Sequence, residues 1–281
     1  MPNTKTISAV YKDQERSFLK HLKGAKSLEE EKIHKLRVDV KRLRSLFKFL
    51  EVMDKNKFSR RKAMKLFAPV FKAAGKIRTT TLNLKMTRSY RTKAIAGFKK
   101  YLLAREKQEE KDLRKEIKAF NKNKFKKIDK KTFSLFNKAG QNAVEKNSSK
   151  FLEDLFVKIR KDMPDISKDE NFHDVRKKLK DVKTISKLLE DVAPKKTGAD
   201  RQKKVEVVEE KIGKWHDSVI LAEELEKFIG NNDHTKKGST EHKKQQKENE
   251  RLAMLVLDIK AHNEATKKLI AQQLRKNLLL N

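Results

Sequence analysis

Two stretches of the chain carry the same order of cationic and imidazole side chains. His34, Arg37, Lys41, Arg44 and Lys48 stand at offsets 0, 3, 7, 10 and 14, and His173, Arg176, Lys180, Lys183 and Lys187 repeat those offsets 139 positions later. On a helix turning 100° per residue, these positions fall within an arc of about 80° along about 21 Å. Each set is therefore a single row, with Arg42 flanking the first. Like charges at this spacing repel by a few tenths of a kcal/mol per pair, so an anion along the row would relieve them. Arginine grips phosphate through paired donors and lysine adds a point charge. Histidine donates a hydrogen bond when neutral, or adds charge near its reference pKa of about 6.5. No zinc site is expected at either histidine.

The elements that must position these rows follow from apolar spacing. Leu36, Val40, Leu43 and Leu50 recur at helical steps on a different face from the first row, and Val175, Leu179, Val182 and Leu189 match them beside the second. The segment His34 to Glu51 aligns without a gap to His173 to Glu190, and Gly75-Lys76-Ile77-Arg78 is echoed by Gly213-Lys214-Trp215-His216 at an offset of 138. Duplication of a helical unit explains both, with halves at residues 1–135 and 136–281. Periodicity predicts helices over residues 6–23, 29–53, 58–75, 79–92, 94–122, 125–161, 170–192, 199–213, 217–230 and 240–278. Ser27 ahead of Leu28-Glu29-Glu30 resembles a capping box, Pro164 and Pro194 close two helices, and Gly230 ends another. Linkers are expected at residues 163–169, 193–199 and 231–240. The lysine-rich runs from Asn121 to Lys131 and Glu241 to Lys247 read as solvated helix faces. Lys111, Arg114 and Lys118, and separately Lys260 and Lys267, share faces of long helices and are further candidate anion contacts.

Composition narrows the partner. The chain's 281 residues include 72 Lys and Arg against 39 Asp and Glu, a net charge of +33. That surplus calls for a polyanion such as a phosphate polymer, nucleic acid, an anionic lipid surface or an acidic protein. Cysteine is absent, which removes disulfides, thiolate metal sites and cysteine nucleophiles together and fits a reducing cytoplasm. The N-terminal residues lack the apolar core of a secretory signal. The apolar run Leu252 to Leu257 stops at Asp258, far short of the ~18 to 20 residues a membrane span requires. No phosphate-binding Gly-rich loop, His-Glu-x-x-His or carboxylate cluster suited to Mg²⁺ is present, so neither an enzyme nor a cofactor is expected.

The pattern His34-x-x-Arg37-x-x-x-Lys41-Arg42-x-Arg44, its second copy from His173 and the landmarks at Gly75 and Gly213 resemble the conserved histidine alpha-helical domain family, CHAD. The resemblance spans nearly the whole chain. It implies an all-α fold of two pseudo-symmetric helical bundles around a basic central channel that binds inorganic polyphosphate, with a cytoplasmic location near polyphosphate granules. Where the family carries an acid after the Gly-x-x-Arg position, this chain has Thr79 in the first half and Asp217 in the second. RNA or DNA is the alternative partner, since the electrostatic attraction is common to every phosphate polymer. The aromatic residues weigh against it: 15 Phe stand mostly at core phases, and only 3 Tyr and 1 Trp accompany them.

Overall fold

The computed structural model describes residues 5–90, 93–166, 168–192, 199–231 and 240–278. Among them are nine α-helices and no strand: α1 (Ile7–Gly24), α2 (Glu30–Met53), α3 (Arg60–Met86), α4 (Ile95–Ala119), α5 (Lys122–Lys138), α6 (Gln141–Asp162), α7 (Asp169–Val192), α8 (Ala199–Asn231) and α9 (Thr240–Leu278). Side-chain caps start several of them. The Thr6 hydroxyl accepts from the Ala9 amide at the head of α1, Ser59 from Lys62 at α3, and the Asn121 amide oxygen from Lys124 at α5.

Four boundaries differ from the sequence expectation. The helices expected over 58–75 and 79–92 are one helix, α3, running through Gly75, and those over 199–213 and 217–230 are one helix, α8, running through Gly213. The single helix expected over 125–161 is divided into α5 and α6 at Gly140, whose φ of 65° lies in the left-handed region that favours glycine. No capping box forms at Ser27: its hydroxyl donates to the Gly24 carbonyl, and Glu29 is the residue that precedes α2. Pro164 follows the end of α6 as expected, whereas Pro194 and most of the 231–240 linker lie outside the described residues.

The two mid-helix glycines each face an arginine of a neighbouring helix. A Cβ at Gly75 would collide with the Arg37 guanidinium, and one at Gly213 would lie 3.4 Å from Nη2 of Arg176. Gly75 thus admits the Arg37 guanidinium of α2 against its backbone, a close approach that outweighs the helix-propensity cost of about 1 kcal/mol, whereas at Gly213 a Cβ would be in ordinary contact with Arg176. Gly75→Ala is accordingly expected to destabilise the fold by about 1 to 3 kcal/mol, as overpacking does. Gly230→Ala, with open space around it, should be neutral or slightly stabilising; urea unfolding of both variants reads the contrast.

Pairing follows chain order: α1 packs on α2, α2 on α3 and α3 on α4, then α6 on α7, α7 on α8 and α8 on α9. Contacts of α2 with α7 and of α3 with α8 join the two runs. The larger apolar core spans both, from Ile7 and Phe18 to Trp215 and Leu274, and a smaller one lies between the start of α4, the end of α8 and the middle of α9. Phe18, Phe67, Phe120 and Phe125 meet with ring centroids 5.1 to 6.1 Å apart. Phenylalanine therefore serves chiefly the interior, as its helical phase predicts. Asp181 of α7 fixes α2 against α7 by accepting from the Ser45 hydroxyl at 2.6 Å and the Lys48 ammonium at 2.5 Å.

Candidate anion-binding cavity

The seam between α2 and α7 opens into a cavity of about 540 Å³. Its walls carry His34, Lys41, Arg42 and Arg44 from α2, and Arg176, Lys180, Lys183 and Lys187 from α7. Apolar residues on the opposite faces, Leu36, Val40 and Leu43 on α2 and Val175, Leu179 and Val182 on α7, are buried in the core and set the rotation of both helices. The two rows separated by over a hundred residues in sequence thus face one space. Gln14 and Ser17 of α1 form part of the rim, and Glu209 of α8 closes the far side.

Burial shapes the charge of this space. Lys41 has no carboxylate within ion-pair distance among the described residues; desolvation first, then the nearby Lys180, Arg37, Arg176 and Arg44, depress its pKa to about 7. Burial and the neighbouring Arg176 also lower Lys180, although Glu209 at 3.6 Å works the other way. Desolvation is the first cause lowering Arg176, whose Nε is buried and makes no hydrogen bond. An unsatisfied buried donor is costly, and a phosphate oxygen is the kind of acceptor that would satisfy it.

The histidines are held neutral. Burial, followed by Arg78 and Lys41, lowers His34; burial, followed by Lys177 and Arg176, lowers His173. They are hydrogen-bonding groups near pH 7, not additional charges. His216 and Asp217, which the sequence marks only as landmarks, are not among the cavity's lining residues, yet both interact electrostatically with Arg176, Lys180 and Lys41. The His216 ring lies 4.8 Å from that of His173, and burial together with Arg176 and His173 brings its pKa down to about 4. Asp217 is raised by burial although Arg176, Arg78, Lys180 and Lys41 all pull it down. The Gly-x-x-Arg/His spacing that singled out Arg78 and His216 was the available signal for both.

Several expected contacts sit elsewhere. Arg37 turns toward α3, donating from Nη1 to the Phe71 carbonyl at 3.0 Å with its guanidinium 4.6 Å from the Phe71 ring centroid. Lys48 is neutralised by Asp181 and does not line the cavity. Lys260 pairs with Glu226 at 2.5 Å, and Lys267, only 6% exposed, pairs with Asp169 and Glu264 at 2.6 and 2.8 Å. Lys111, Arg114 and Lys118 are exposed along α4, away from the cavity lining. Helical phase placed these cations correctly on their own helices, but their partners come from distant segments. Lys183 keeps its place in the cavity with Glu206 at 3.8 Å and Glu209 at 3.9 Å.

These features define an all-helical protein with a cation-lined recess between two of its helices. The chain belongs to the CHAD domain family, whose match covers residues 9–226. Among solved structures it is similar to the crystal structure of the CHAD domain from the plant Ricinus communis, with a TM-score of 0.75 and 12% sequence identity over 100% of this chain and 94% of that one. Among curated proteins no sequence matches the chain. No helix among the described residues is long and apolar enough to cross a membrane.

Proposed function

We propose that this protein binds inorganic polyphosphate in the recess between α2 and α7, without catalysis, as one duplicated CHAD unit acting in the cytoplasm at polyphosphate granules. One observation carries the reading: seven Lys and Arg side chains and His34 from two separate helices line one cavity against three carboxylates, Asp13, Asp191 and Glu209, and this excess of partly desolvated cations makes an anion the missing component. A run of phosphates suits a row better than a single ion does, because the cations extend along two helices. Among the described residues no Phe, Tyr or Trp lines the cavity, so it offers no stacking platform for bases, which favours polyphosphate over RNA or DNA.

Competition of long polyphosphate, short polyphosphate, RNA and duplex DNA against one labelled polyphosphate probe, at fixed ionic strength, tests the reading. Long polyphosphate should displace the probe at the lowest phosphate concentration. Equal displacement by duplex DNA would overturn the preference, and phosphate release from polyphosphate with Mg²⁺ would overturn the non-catalytic assignment. Affinity should fall steeply with added salt.

Two opposite pH trends are expected from Lys41. With its folded pKa near 7 and an unfolded value of about 10.4, the unfolded chain binds more protons between those limits. The ligand-free protein should therefore gain stability as pH rises from 7 to 9. A bound polyanion restores the proton, so affinity should fall over the same range. Thermal melting and calorimetry at several pH values check both signs, and Lys41→Gln should flatten both slopes.

A further inference from the structure

Lys41 differs from Lys180 and Lys183 of the same recess. Lys180 and Lys183 each have a glutamate of α8 within 4 Å. Lys41 has none among the described residues; its strongest electrostatic neighbours are Lys180, Arg37, Arg176 and Arg44, and Asp217 of α8 acts on it only from beyond ion-pair distance. An ammonium withdrawn from water and surrounded by cations loses its proton readily. The resulting free amine is a nucleophile, activated as lysines are when desolvated beside another cation. The same cations gather phosphate oxygens, so an electrophile bearing phosphate is delivered to the amine.

We propose that Lys41 is a self-acylating site for small acyl phosphates. The proposal rests on the anion-binding reading of the recess and adds a way of regulating it. The Lys41 Nζ lone pair attacks the carbonyl carbon, and the tetrahedral intermediate collapses with cleavage of the carbon–oxygen bond to the phosphate. Phosphate leaves with that electron pair, and the proton of the new amide nitrogen passes to water. The products are an amide and inorganic phosphate, with no change of oxidation state. Arg44, Arg176 and Lys180 line the cavity beside the amine and stabilise the charge that gathers on the leaving phosphate. The amide removes one positive charge from the recess and so weakens its hold on a polyanion.

At pH 7 an amine with a pKa near 7 is about half neutral, whereas an ordinary lysine is neutral in roughly one molecule in 3,000. Lower basicity reduces intrinsic nucleophilicity, so the expected advantage is smaller than that ratio. The full-length protein is incubated with acetyl phosphate at pH 7, and peptide mass spectrometry follows the initial rate of acetylation at each lysine. Lys41 should react at least about tenfold faster than exposed Lys111 and Lys118. Its rate should level off above about pH 8 while theirs continue to climb. Long polyphosphate should slow Lys41 and leave the references unchanged, and Lys41→Arg should abolish the fast site while retaining the helical signal. Equal initial rates at Lys41 and the references overturn the proposal, as does an unchanged Lys41 rate with polyphosphate bound. Fast acylation of Lys41 in a protein with no measurable polyphosphate affinity would instead overturn the binding reading and leave this one standing.

Discussion

A protein carrying both Arg176→Ala and Lys180→Ala should bind long polyphosphate about 3 kcal/mol more weakly, on the order of a hundredfold, as expected for losing two charge-assisted contacts. Both side chains enter the cavity from α7, and the Arg176 Nε is a buried donor without an acceptor. The same pair of substitutions should not harm the fold. Each removed cation is partly desolvated, and Lys180 is also repelled by Arg176 and Arg44, so the ligand-free melting temperature should change little, the relief being offset where Glu209 and the buried Asp217 lose the attraction of both cations. Titration calorimetry and circular dichroism on the same sample separate the two effects. Unchanged affinity with intact helicity would remove α7 from the site.

The second large effect concerns stability. Asp39 is only 2% exposed and accepts hydrogen bonds from Gln14 Nε2 at 2.8 Å, Ser17 Oγ at 3.0 Å and His21 Nδ1 at 2.5 Å. All three donors belong to α1, so one carboxylate secures α1 along α2. Asp39→Ala leaves them facing a cavity and should cost about 3 kcal/mol or more, a cost typical of breaking a buried charged network. In a chain of this size that lowers the melting temperature by about 6 °C. Asp13→Ala, which removes an exposed partner of Lys5, should change stability by a fraction of 1 kcal/mol. Similar melting temperatures for the two variants would show that Asp39 does not secure α1.

Local regularities made the helices legible. The three- and four-residue apolar steps of α2 and α7 also fix which face meets the core, and therefore where His34 to Arg44 and His173 to Lys187 point. Gly75 and Gly213 misled because glycine ordinarily marks an end, whereas here each lies inside a helix facing an arginine from another, closely enough at Gly75 to exclude a Cβ. That contact is invisible until α2 lies on α3 and α7 on α8. The break at Gly140 was hidden for the opposite reason, since apolar periodicity continues across it and only the positive φ reveals the turn. Within the site, the row from α2 was readable except for Arg37, which turns to the Phe71 carbonyl of α3, and Lys48, whose partner Asp181 lies 133 positions away. Asp39, His216 and Asp217 carry no periodic signal of their own. Their burial and neighbours come from helices brought together by folding.

The break at Gly140 falls between the two rows in the chain, and neither row encloses a space by itself. A fragment ending there and one beginning there would each present its cations to water, where screening leaves little preference for one anion over another. On the proposed reading, selectivity would be a joint possession of two distant stretches of sequence, and cutting the backbone between them should matter far less than letting the pieces drift apart.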